Sequence, residues 1–109
     1  MAAAPLPGVT KSFTLNPNTP TLLGAARPNP AGRIYMLIIN NDSQNYIAWA
    51  HNTGNQATAQ HHQIAPGGYY EFRWKPPAGI PLPQAGWGLT GDISAIAVSG
   101  NPSISYTEL

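Results

Sequence analysis

The side chains that could do chemistry are few and scattered. His51 stands apart from the adjacent pair His61 and His62, and the chain holds only four acids, among them Asp42, Glu71 and Asp92. Neighbouring residues on a strand point to opposite faces, so one metal ion could not easily use both His61 and His62. Metal sites need several ligands at fixed geometry, and none of these acids sits at a telling spacing from a histidine. The histidines therefore read as exposed or interface residues, and the one route to a metal site is a symmetry axis of an assembly. Glycosidase chemistry needs two positioned carboxylates, for which the supply of acids is thin. No Gly-x-Ser-x-Gly elbow appears, and that motif is what exposes a hydrolase serine. Gly86-Trp87-Gly88-Leu89-Thr90-Gly91 has the spacing Gly-x-Gly-x-x-Gly, but it lacks the strand-to-helix context in which such a loop cradles phosphate. No catalytic, metal or cofactor-binding residue is assigned, and the chain reads as non-enzymatic.

The aromatic residues are the other chemically useful set. In a charge-poor protein, exposed rings can stack on sugars or anchor an interface. Trp49 and Trp74 are expected in the core. Trp87 lies between Gly86 and Gly88 in a Pro/Gly-rich stretch and is expected as a surface contact.

The elements that must position these residues are short strands. A chain of 109 residues makes one domain. It has no cysteine, so no disulfide or thiolate zinc site supports it. Charged residues make up 8% of the chain, against a usual ~25%. The bases Lys11, Arg27, Arg33, Arg73 and Lys75 are dispersed and the net charge is +1, which gives no footprint for nucleic acid. Low charge also protects weakly against self-association, which suits an assembled state. The N-terminal stretch lacks the basic and apolar regions of a signal peptide. No window approaches the ~20 apolar residues of a membrane span.

Twelve prolines and eleven glycines punctuate the chain, and no helical period is sustained. Residues 1–10 are expected as an extended arm, and 11–109 as a single β-sandwich domain. Strands are expected at 11–15 and 21–26. The strongest, 33–40, is apolar on both faces and should be central. It is expected to pair back with 45–51 as a hairpin across Asp42-Ser43-Gln44-Asn45. The polar, small-residue segment 52–60 should be the most mobile internal stretch. After the turn Pro66-Gly67-Gly68, residues 69–75 alternate, with Tyr70, Phe72 and Trp74 on one side, as a half-buried strand does. A last hairpin is expected between 93–99 and 103–108. The fold class is all-β: a small antiparallel β-sandwich, jelly-roll or Ig-like, with about seven or eight short strands.

Two stretches stand out as partner contacts. In the arm, Pro5, Leu6 and Pro7 favour extended backbone with little charge. In the long connection 76–88, prolines lower the entropy lost on docking while Ile80, Leu82 and Trp87 offer apolar surface. These six residues are the expected partner-binding set.

The order of the elements over residues 33–109 resembles that of small β-sandwich proteins of tailed-phage virions. The resemblance rests on Arg33-Ile34-Tyr35-Met36-Leu37-Ile38-Ile39-Asn40, then Tyr46-Ile47-Ala48-Trp49. The turn Ile64-Ala65-Pro66-Gly67-Gly68, the strand Tyr69-Tyr70-Glu71-Phe72 and two closing strands complete it. The 76–88 connection is longer than the resemblance would suggest. The likeness implies a virion structural part, most simply a capsid decoration or cement protein that binds the outer shell and stabilises it. Its partners would be the major capsid protein or another virion protein, and further copies of itself, with a closed trimer the simplest symmetry. The alternative is a carbohydrate- or receptor-binding module of a phage tail or fibre, with Trp87 and Tyr69 as stacking platforms. Neither reading calls for a nucleic acid, a membrane or a cofactor.

Overall fold

The computed structural model describes residues 9–27, 32–74 and 89–109. Alternating and β-branched runs become eight strands: β1 (Val9–Thr14), β2 (Thr21–Gly24), β3 (Tyr35–Asn40), β4 (Ile47–His51), β5 (His62–Ile64), β6 (Tyr69–Arg73), β7 (Ile93–Ala97) and β8 (Ser103–Glu108). They form two four-stranded sheets. Sheet A has the order β1-β8-β3-β6 and sheet B the order β2-β7-β4-β5. Every pairing is antiparallel. Strands pair as nested partners, β4 with β5, β3 with β6, β2 with β7 and β1 with β8, and that hairpin of hairpins is wrapped into two layers. This is the jelly-roll form of the β-sandwich. β1 starts at Val9 and so takes in the last two residues of the expected arm. The rest of the arm lies outside the described residues.

β3 is interior to sheet A, between β8 and β6. Met36, Ile38 and Asn40 are buried while Tyr35, Leu37 and Ile39 are half-buried. The expected partnership with 45–51 does not form, because β4 belongs to sheet B. The link between them is an arch. Asn40 is fully buried and its amide donates to the carbonyls of Asn45 (2.8 Å) and Ile64 (3.2 Å), while its oxygen accepts from the Asp42 amide. The Asp42 carboxylate then accepts from the backbone of Gln44 and Asn45. These bonds carry the chain across the gap between the sheets instead of back along one of them. The final hairpin is corrected in the same way. β7 lies in sheet B and β8 in sheet A. The connection between them turns at Gly100, whose φ is +64°. The Asn101 amide and the Pro102 carbonyl then tie it to the backbone of Leu15.

The main core fills the space between the sheets. Ile38, Met36, Ile104 and Tyr106 from sheet A meet Ile47, Trp49, Ile64 and Ile93 from sheet B. The outer face of sheet B carries a second cluster, in which Ala48, Ala50 and Ile96 are covered by Ala57 from the β4–β5 connection. The segment expected to be mobile, 52–60, is fastened here at several points. Asp92 accepts from the amides of Gly54 (3.0 Å) and Asn55 (2.9 Å), and its carbonyl accepts from Asn52. Ala57 is 2% exposed. A small polar segment here serves as a lid that the chain supplies for its own sheet.

Sheet A has no such cover among the described residues. Its outward residues on β1 and β8 are Thr10, Ser12, Thr14, Ser103, Ser105 and Thr107, which precede Leu37, Ile39 and Tyr69 across the sheet. The Thr10 and Thr107 hydroxyls meet at 3.2 Å. The charges on this face, Glu71 and Arg73, pair with each other at 2.9 Å, and the Tyr35 hydroxyl donates to Glu71 at 2.8 Å. The Arg73 hydrogen bond, helped by Tyr35, holds the Glu71 carboxyl below its usual range.

Candidate functional site

Two clusters bring chemically capable side chains together, and both depend on the strand order. The first plugs one end of the sandwich. Arg33 is completely buried, in a bridge with Leu89 instead of within β3. Its guanidinium donates to the carbonyls of Ala25 (2.6 Å), Gly91 (2.6 Å) and Leu89 (3.2 Å), and to the Tyr106 hydroxyl (3.1 Å). Glu108 lies 3.3 Å from Arg33 Nε and also pairs with Arg27. Tyr106 donates to Glu108 at 2.8 Å. Burial, then the Glu108 carboxylate, push the Tyr106 phenol well above its usual range, against the pull of Arg33. A Cβ on Gly24 would meet Glu108, Arg33 and Tyr106, so only glycine lets β2 cross this point. Arg33, Tyr106 and Glu108 are buried and partnered within the chain, which makes the cluster a structural unit.

The second cluster is open. β5 and β6 are the edge strands of their sheets on the same side of the sandwich, and between them lies a cleft of about 450 Å³. It is lined by Trp49, His62, Gln63, Ile64, Ala65, Gly68, Tyr69 and Tyr70. The register sets this convergence. Trp49 is opposite His62 on sheet B, and Tyr70 is opposite Ile38 on the inward side of sheet A. The Trp49 ring centroid is 4.8 Å from that of His62 and 4.7 Å from that of Tyr70, with interplanar angles of 36° and 39°. Trp49 is 5% exposed and forms the floor, while Tyr70 (38%) and Tyr69 (70%) reach the surface. No Asp, Glu, Lys or Arg lines the cleft. Among the described residues, neither the His62 ring nor the two tyrosine hydroxyls has a hydrogen bond within the chain. Gln63 spends one amide hydrogen on the Ala59 carbonyl (2.8 Å) and keeps its oxygen. The arrangement offers ring faces and neutral hydrogen-bonding groups, with no activated nucleophile and no acid–base pair.

The residues singled out from the sequence disperse. Pro5, Leu6, Pro7, Ile80, Leu82 and Trp87 lie outside the described residues. His51 sits by the plug and its Nε2 accepts from the Gly91 amide at 3.3 Å. Burial, then the nearby Arg33 charge, lower its proton affinity. His61 accepts from the Thr58 amide (2.8 Å) at the start of β5, and only His62 enters the cleft. Among the described residues, no three His, Asp or Glu side chains gather as metal ligands. No helix follows Leu89-Thr90-Gly91, the described part of the glycine pattern. Trp49 is in the core, as expected, while Trp74 is half-buried. Sequence reasoning missed Arg33 as a buried charge, although an arginine opening the most apolar run of a charge-poor chain was a usable signal. It also missed the partnership of Trp49 with Tyr70, which only the strand order reveals. No family model, curated protein or solved structure matches the chain.

Proposed function

We propose that the chain is a non-enzymatic structural protein of a tailed-phage virion, a decoration or cement protein that adheres to the outer shell and reinforces it. The observation that carries this reading is the difference between the two outer faces. The chain covers the centre of sheet B, over β4 and β7, with its own 52–61 connection, leaving Leu22 of β2 exposed at its edge. Over the described residues it leaves sheet A as a broad, nearly neutral surface of hydroxyls with Leu37, Ile39 and Tyr69 at one side. Such a face adheres through burial of apolar and backbone-rich area, with few charges to desolvate. The jelly roll, a fold also used by capsid domains, and the phage-like order of elements support the same reading. The partner is the major capsid protein or a neighbouring virion protein, and the chain itself assembles as a closed trimer.

The test is sedimentation with purified phage shells. The protein pellets with shells at a fixed saturating ratio, and Ile39→Arg, which puts a charge on the open face, remains in the supernatant while keeping its fold. A wild-type protein that never pellets with the shells of its own particle overturns the proposal.

A further inference from the structure

Apart from Tyr69, which edges both, the cleft between β5 and β6 is not used by the shell-binding reading, which rests on the outer face of sheet A. Its construction points to a ligand of its own. The volume of about 450 Å³ falls within the ~300–1,000 Å³ of small-molecule sites. The floor and one wall are rings: Trp49 below, His62 from sheet B and Tyr70 from sheet A, tilted toward one another. The rim is polar and neutral, with the Gln63 oxygen, the His62 nitrogens, the Tyr69 and Tyr70 hydroxyls and the backbone of Gly68. A ligand matched to this needs an apolar face to lie on a ring, hydroxyls around its edge, and no net charge.

From this geometry we infer that the cleft binds a neutral pyranose, with its C–H face against Tyr70 and its hydroxyls on Gln63 and His62. Three observations favour a sugar over other ligands. A phosphorylated or carboxylated ligand would meet no Lys or Arg in the lining. A purely apolar ligand would strand the His62 ring nitrogens, the Tyr70 hydroxyl and the Gln63 oxygen, which have no hydrogen bond among the described residues to fall back on. An extended peptide would need a long groove, whereas the Ala65–Gly68 turn, held by the Gly68 amide on the Ala65 carbonyl (2.9 Å), forms part of the wall. The sugar-binding reading put its platforms at Trp87 and Tyr69. The structure assigns the stacking platform instead to Tyr70, backed by Trp49.

The experiment is titration of the isotope-labelled full chain with methyl glycosides of common hexoses, an N-acetylhexosamine and a deoxyhexose, followed by amide spectra. Saturable shifts are expected at Gln63, Gly68, Tyr69 and Tyr70 with at least one glycoside. Tyr70→Ala weakens that binding about tenfold, the order of one lost ring contact. His62→Ala weakens it several-fold while leaving the rest of the amide spectrum in place, which separates a lost contact from a lost fold. A proline-rich hexapeptide is titrated in parallel. If no glycoside shifts the cleft resonances up to its solubility limit, or if the peptide alone does, the sugar assignment is overturned. Shell sedimentation by Tyr70→Ala reads the other proposal separately, and it is expected to match wild type.

Discussion

The Arg33 plug and the Trp49 cleft are built from the same kinds of parts, polar groups set among aromatic rings, yet they do opposite things. In the plug, three carbonyls, a phenol and a carboxylate take up the guanidinium, and Arg33 is completely buried. In the cleft, polar groups surround two exposed tyrosines, and the tyrosine hydroxyls and the His62 ring find no hydrogen bond among the described residues. The difference lies in neighbours more than in residue type. A buried charge is tolerated only when its surroundings complete it, while a neutral ring at an edge can stay open at little cost. In this molecule the most reactive-looking cluster is scaffold, and the open cleft is built from groups with the mildest chemistry.

The comparison breaks first at Arg33. Arg33→Leu leaves Glu108 with one base fewer and three carbonyls without their donor. Breaking a buried pair in this way costs about 3–5 kcal/mol, a large part of a domain's ~5–15 kcal/mol. Denaturant unfolding should show that loss. If the midpoint holds, the plug is ornamental. Gly24→Ala should come next, because its methyl must displace Glu108, Arg33 or Tyr106. A loss of about 1–3 kcal/mol is expected for overpacking, measured by the same melt, with the cleft resonances unmoved.

Asp92 tests the lid over sheet B. Burial pushes its carboxyl up, but the Asn55 and Gly54 amides, with His51, outweigh that and leave it below the ordinary 3.8. A carboxyl depressed in the folded state contributes stability that is present above its unfolded value and lost as pH falls through the folded one. Acidifying below about 4 should therefore weaken the wild type more than Asp92→Asn. At neutral pH that variant should lose about 1 kcal/mol. Equal acid sensitivity in the two proteins would remove Asp92 from the account. The cleft should also matter far less to stability than the plug. Tyr70→Ala gives up one ring pair, about 0.5–1.5 kcal/mol beyond the area it buries, and should cost less than Arg33→Leu. A melt that drops as far as that of Arg33→Leu would mean the cleft is core, and the contrast between the clusters would fail.

Much of the fold was legible because alternation reports which way a side chain faces. The buried positions Met36 and Ile38, and the outward Tyr69, Glu71 and Arg73, follow from that rule. Alternation says nothing about which strand lies alongside. Asp42–Asn45 and Gly100–Pro102 carry the turn chemistry of either a hairpin or an arch, so both were read as hairpins and both are arches. Everything that depends on partner choice was lost with that step. Arg33 and Glu108 meet only because β8 lies beside β3. Trp49 and Tyr70 meet only because β5 and β6 end their sheets on the same side. Asp92 fastens the 52–61 connection from far along the chain, which its small, polar composition could not reveal.

The nested pairing also sets an order of events in folding. β4 and β5 are joined by the shortest excursion among the same-sheet pairs, while β1 meets β8 with Val9 opposite Glu108. Loop closure costs more entropy as the enclosed chain lengthens, so the pairs should form from the inside outward. Chains dominated by such distant contacts fold over milliseconds to seconds. Glu108 arrives with β8, after the inner pairs, so substitutions there should speed unfolding more than they slow folding. Changes at Trp49 should slow folding itself, and stopped-flow kinetics distinguish the two cases. On that sequence the ion pair acts as a late fastening: Arg33 gains its carboxylate when β8 joins β3, after the inner pairs have formed, and losing it should shorten the protein's lifetime in the folded state.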